Sequence, residues 1–90
     1  MTRVYSIYDE KAYYYRMPFF CASDDEATRI LFDAVRGGDS QLVNFPGDFS
    51  LYFIGEFNEV DGVIVSASKP SLVLPISQIV GGIFPNAKNS

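Results

Sequence analysis

Residues 23–38 constrain this chain more than any other stretch. Ser23-Asp24-Asp25-Glu26 puts a serine where a helix needs its N-cap and a glutamate three positions on. In that capping box each side chain satisfies a backbone N–H that the first turn leaves open. Asp24 and Asp25 stand where the helix dipole favours negative charge. Ala27, Ile30, Leu31 and Ala34 then recur at i, i+3, i+4 and i+7, which is one apolar face. Arg36 suits the last turn, and Gly37-Gly38 supply a stop. The spacing predicts an amphipathic helix over residues 24–36, and the rest of the chain must give its apolar face a surface to cover.

On both sides of this helix the period changes to two. Residues 4–8 are rich in β-branched and aromatic side chains and read as a strand. Tyr5 and Ile7 share one face of it; Val4, Ser6 and Tyr8 share the other. Asp9-Glu10-Lys11 reads as a tight turn, and residues 12–17 as a returning strand that Pro18 ends. Alternation sends Tyr13 and Tyr15 to one side and Tyr14 and Arg16 to the other. Residues 39–48 are a connection in which Leu42, Val43 and Phe45 are candidate anchors, closed by the turn Pro46-Gly47-Asp48. Residues 49–57 form a strand with Phe49, Leu51, Phe53, Gly55 and Phe57 on one face and Ser50, Tyr52, Ile54 and Glu56 on the other. Gly55 marks a bulge or a close backbone approach. Asp61-Gly62 signals a hairpin, and residues 63–67 are a short strand returning antiparallel.

After Lys69 the pattern weakens, because Pro70, Pro75 and Pro85 interrupt it. Leu72, Val73, Leu74, Ile76, Ile79, Val80, Ile83 and Phe84 are too apolar for a disordered tail, so they cap the core or pack on another subunit. Residues 86–90 look frayed. The expected organisation is one α+β domain over residues 1–69 with a C-terminal extension over 70–90. Its order is strand-strand-helix-strand-strand, a mainly antiparallel sheet with one helix packed on it.

Composition removes several kinds of chemistry. The chain has no histidine and one cysteine, so the usual zinc ligand sets and histidine-based acid–base catalysis are absent. Cys21 has no partner for an intrachain disulfide and no histidine to activate it; it reads as a buried small hydrophobe in a reducing compartment. No signal pattern and no run of about 20 apolar residues occurs, so a soluble, intracellular protein with no membrane partner is expected. No cofactor is implied. A carboxylate cluster of Asp9, Glu10 and Asp48 for a divalent cation is a remote enzymatic reading, since turn chemistry explains all three. The protein is expected not to be an enzyme.

Residues 5–20 hold seven of the fourteen aromatic residues. They also lie outside the acidic part of the chain. The net charge is −4, yet residues 1–22 carry +1, residues 23–62 carry −7 and residues 63–90 carry +2. Three consecutive tyrosines cannot all face one core. Exposed rings stack on nucleobases, and neighbouring cations meet phosphates. The candidate nucleic-acid contacts are therefore Arg3, Tyr8, Lys11, Tyr13, Tyr14, Tyr15, Arg16 and Tyr52.

The sequence also resembles a known family. Tyr5-Ser-Ile-Tyr-Asp-x-Lys-Ala, Pro18-Phe-Phe and Ala27-x-Arg29-x-x-Phe32-Asp33 carry the likeness. Pro46-x-Asp48-Phe49-x-Leu51-Tyr52-x-Ile54-Gly55-x-Phe57 continues it, with Gly62 and Pro70. Together they resemble the small non-structural protein of gokushoviruses, single-stranded-DNA phages of the Microviridae, over roughly residues 4–70. The resemblance implies a phage protein made in the host bacterial cytoplasm, absent from the virion, with a role in viral DNA replication. It implies no catalytic residues.

Two functions follow as expectations. The first is weak, sequence-independent single-stranded DNA binding, strongly salt-sensitive because the whole chain is acidic. The second is a protein-interaction module for a viral or host replication protein, without DNA contact, since tyrosine and phenylalanine also enrich interfaces. A homo-oligomer is expected in either case, because a small domain with unpaired sheet edges hides them by pairing.

Overall fold

The structure is a computed structural model and describes residues 1–83. Phe84, Pro85 and residues 86–90 of the expected tail lie outside the described residues. The fold is α+β: a five-stranded antiparallel sheet with its helices gathered on one face. β1 (Thr2–Asp9) runs through the middle. Along one side it pairs with β4 (Phe49–Phe57), from Thr2↔Phe57 to Asp9↔Phe49. Along the other side it pairs with two short strands, β2 (Tyr14–Tyr15) and β3 (Phe19–Cys21). β5 (Ile64–Pro75) pairs with β4 and forms the far edge.

The helix α1 (Asp24–Arg36) has the bounds that its caps dictate. Ser23 Oγ accepts from Glu26 N, and Glu26 Oε1 accepts in turn from Ala22 N at 2.9 Å. At the other end Gly38 N donates to Val35 O and Asp39 N to Ala34 O, a Schellman closure with Gly38 at φ 89°. The buried face differs from the expected one. Ala27, Leu31 and Val35 are buried, while Ile30 is 40% exposed. The helix presents its i, i+4, i+8 row to the core, so the stripe sits one position away from Ile30.

The connection after α1 contains its own helix, α2 (Ser40–Asn44), whose N-cap Asp39 accepts from Leu42 N. Leu42 is the anchor expected, fully buried, and Val43 packs against the core. Phe45 is not an anchor: it is exposed at the point where the chain turns into a single 3-10 turn, Pro46–Asp48. The core lies between the helices and one sheet face, built on Tyr5, Ile7, Phe49 and Leu51 from the sheet and Ala27, Leu31 and Val35 from α1.

Two expected strands take a different form. The returning strand over residues 12–17 shrinks to Tyr14–Tyr15. Asp9 Oδ1 accepts from Lys11 N and Ala12 N, and Tyr13 N donates to Asp9 O, which winds the chain into a turn. Tyr13 sits in that turn at φ 60°, the left-handed region, so it takes no part in strand alternation. After the break at Met17-Pro18 the chain re-enters the sheet as β3.

The expected strand over residues 63–67 extends instead to Pro75 and crosses the boundary expected at 69/70. Pro70 is tolerated because β5 is an edge strand and its register shifts between Phe53/Gly55. Beyond it α3 (Ile76–Ile83) buries Ile76, Ile79 and Val80 in the same core as α1. The sheet therefore carries more than the single helix expected.

Gly55 is a point of close approach between β4 and β5. A Cβ there would lie 2.6 Å from Val65 O, so no side chain fits.

Candidate nucleic-acid interface

The strand registers sort the sheet's side chains into two faces. Arg3, Tyr5, Ile7 and Asp9 point to the helices. Thr2, Val4, Ser6 and Tyr8 point away, opposite Phe57, Gly55, Tyr52 and Ser50 of β4. Tyr15 and Phe20 join that second face from β2 and β3, and Ile64, Ser66 and Leu72 from β5. No helix among the described residues contributes to it. Its floor is nonetheless closed: Val4 and Ser6 are buried, and Ser6 Oγ donates to Arg16 O at 2.6 Å.

Three tyrosines meet at one end of this open face. The rings of Tyr8 and Tyr15 have centroids 4.7 Å apart. Tyr52 stands edge-on to both, at 6.1 Å from Tyr8 and 5.8 Å from Tyr15. They come from three adjacent strands, and the pairs Tyr8↔Tyr15 and Ser6↔Tyr52 bring them together. Burial pushes the Tyr15 phenol above its ordinary value, with Tyr52 and Tyr8 adding to the effect. Tyr15 remains 39% exposed, so a ring edge is available to solvent.

At the other end Phe20 and Phe57 meet at 6.0 Å, edge to face. With Thr2 and Ile64 they line an open apolar cleft of about 330 Å³. Phe20 and Phe57 were not among the sequence candidates. Phe20 reaches this face because it pairs with Val4, which alternates onto the face of Tyr8; no spacing along the chain shows that pairing.

The other candidates lie elsewhere. Arg3 is on the helix side: its Nε donates to Tyr5 Oη at 2.7 Å, its Nη2 lies 3.2 Å from Asp24 Oδ1, and its guanidinium stacks 4.1 Å over the Phe53 ring. Arg16 is on the same side, 3.3 Å from Asp39 Oδ2 and 2.8 Å from Gln41 Oε1, over the Phe49 ring. Tyr14 lines a cleft with Ile7, Arg16 and Met17, away from the tyrosine trio. Lys11 and Tyr13 are exposed in the turn between β1 and β2, beside the Tyr8–Tyr15 pair. The structure thus unites Tyr8, Tyr15 and Tyr52, sets Lys11 and Tyr13 at their border, and places Arg3, Tyr14 and Arg16 on the opposite side. No charged residue occupies a paired position on the open face among the described residues.

Other chemistry finds little footing. Among the described residues no group of three His, Cys, Asp or Glu side chains converges to hold a metal ion. Cys21 is buried, and burial pushes its thiol up, away from the reactive thiolate. No helix among the described residues is long and apolar enough to cross a membrane.

The model of a family described as Phage ORF5 protein matches residues 2–79, a span that takes in all five strands and reaches into α3. No curated protein matches the chain, and no solved structure does.

Proposed function

The chain belongs to the Phage ORF5 protein family, and on that premise we propose that it is a single-stranded-DNA-binding protein of phage replication. The sequence resemblance points within that family to the non-structural protein of a gokushovirus, working in the cytoplasm of the infected bacterium. It acts as a binder and not as an enzyme. One observation carries the reading: Tyr8, Tyr15 and Tyr52 cluster on a sheet face that no helix among the described residues covers. A base stacked on such a ring gains about 1–3 kcal/mol without reading sequence.

The geometry changes the electrostatic expectation. Arg3 and Arg16 are paired with acids on the other side, so of the candidate cations only Lys11, in the turn beside the Tyr8–Tyr15 pair, is left on the border of the trio. Binding therefore rests on stacking more than on phosphate contacts, and its salt dependence is shallow. Titration of labelled oligo-dT against wild type and the Tyr15→Ala/Tyr52→Ala pair tests this. Loss of two stacking rings should weaken binding at least ~10-fold, and Arg3→Ala should change it little. Absence of wild-type binding at low salt, at protein concentrations where a stacking platform works, overturns the proposal.

A second reading has its own observation. An uncharged face that also carries Phe20, Phe57 and Ile64 suits a protein partner of replication, viral or host, as well as it suits bases. Capture from infected-cell lysate, with and without nuclease, separates the two. A partner kept after nuclease treatment favours direct protein contact.

A further inference from the structure

The loop between β1 and β2 holds one residue against its backbone preference. Tyr13 sits at φ 60°, the left-handed region that glycine or asparagine enters far more readily than a bulky side chain. It is the only non-glycine residue with a positive φ among the described residues. The loop around it is fixed from several directions. Asp9 Oδ1 accepts from Lys11 N at 2.9 Å and from Ala12 N at 3.0 Å, and Asp9 O accepts from Tyr13 N at 2.9 Å. Glu10 N donates to Asp48 O at 2.9 Å, which ties the loop to the turn before β4. The pairs Asp9↔Tyr14 and Tyr8↔Tyr15 close it at its base. A strained backbone persists where its surroundings over-determine it, and such residues gather at binding sites.

Nothing among the described residues accounts for a tyrosine at this point. Its ring is 81% exposed and joins none of the ring pairs of the sheet. Glu10 and Lys11, the exposed charges of the loop, cancel, so the loop offers a ligand a ring rather than a net charge. Tyr13 stands two residues before Tyr15, which keeps their Cα atoms within about 7 Å of each other.

We propose that Tyr13 is a further stacking residue for single-stranded DNA, taking the nucleotide next to those on Tyr8, Tyr15 and Tyr52, and that Asp9 is the positioning residue that sets its ring there. The inference rests on the single-stranded-DNA reading of the open face and adds a direction to it: the strand leaves that face over the β1–β2 loop. A ring fixed in place beforehand loses less freedom when a base arrives.

Oligo-dT titration and thermal melts of the same samples test this. Tyr13→Gly removes the strain, so it melts no lower than wild type, yet it binds about 5-fold more weakly, the loss of one stacked base. Unfolding does not explain lost binding in a variant that is no less stable. Tyr13→Phe keeps a ring and binds as wild type does. Asp9→Ala binds as weakly as Tyr13→Gly, whereas Asp9→Asn, which keeps an acceptor oxygen, binds as wild type does. The double variant Asp9→Ala/Tyr13→Gly loses no more than Tyr13→Gly alone, because Asp9 acts through that ring. Full binding by Tyr13→Gly, alongside weakened binding by Tyr15→Ala, overturns the proposal and leaves the DNA reading of the face standing. Losses from Asp9→Ala and Tyr13→Gly that add in full overturn the role of Asp9. A wild type that does not bind oligo-dT overturns both the inference and the reading beneath it.

Discussion

The Tyr5 hydroxyl donates to the carboxylate of Asp24 while accepting from Nε of Arg3. The three side chains tie the central strand to the first turn of α1. Arg3, Tyr5 and Asp24 thus serve the helix side of the sheet, and the only fully buried tyrosine is spent on scaffold.

This arrangement makes stability pH-dependent at high pH. Burial, with the Asp24 carboxylate second, pushes the Tyr5 hydroxyl up to about 12 from its ordinary 10. The folded state holds that proton more tightly than the unfolded state. Its contribution is fully present below pH 10 and is lost as pH rises through 12, on the order of 2 kcal/mol in all. Thermal melts of wild type should fall across that window, and Tyr5→Phe should flatten the fall. Tyr5→Phe should also cost ~1 kcal/mol at neutral pH, because Arg3 loses its acceptor.

Gly55→Ala should destabilise by about 1–3 kcal/mol, as overpacking does. The added methyl meets the Val65 carbonyl, which belongs to a paired backbone and cannot swing aside. Urea unfolding measures the loss as a lower midpoint with an unchanged slope.

Tyr13→Gly should stabilise the fold by up to about 1 kcal/mol. A tyrosine at φ 60° carries left-handed strain that glycine lacks, and its ring is 81% exposed, so little packing is lost. Chemical denaturation of the pair of proteins settles the sign. No loss of oligonucleotide binding in this variant is expected to exceed that of Tyr15→Ala.

The salt dependence of oligonucleotide binding should be shallow. Each phosphate contact on a single strand contributes about −0.7 to the slope of log K against log salt. With Lys11 the one candidate cation on the border of the trio, a slope of about −1 is expected, unchanged by Arg16→Ala. A slope several times steeper points to a basic track elsewhere on the molecule.

Sequence reasoning succeeded where structure is local. The capping box and Gly37-Gly38 set both ends of α1 at the expected residues, because caps act within one turn. Pro46-Gly47 and Asn58 bracket β4 in the same way. It failed where tertiary context decides. Pro70 reads as a break, yet an edge strand whose register slips there absorbs it. Tyr13 carries no local sign of its left-handed backbone; the Asp9 side chain imposes it through two hydrogen bonds. For the site, alternation correctly set Tyr15 apart from Tyr14 and Arg16. The same rule, applied to Arg3 and Tyr5, would have placed Arg3 away from Tyr8. The gathering of Tyr8, Tyr15 and Tyr52 needed the strand order, which no spacing along the chain reveals.

The interruption at Met17-Pro18 sets a valency. Ordered fibres grow when every copy offers two open rims, one to capture and one to be captured. Here one rim is blunt: the break at Met17-Pro18 leaves it strands of two and three residues, so among the described residues only the β5 rim offers a longer run of backbone to an incoming strand. A molecule with one usable rim gives strand-by-strand growth no second site from which to continue, even though the chain carries an uncharged β-prone hexad on its surface.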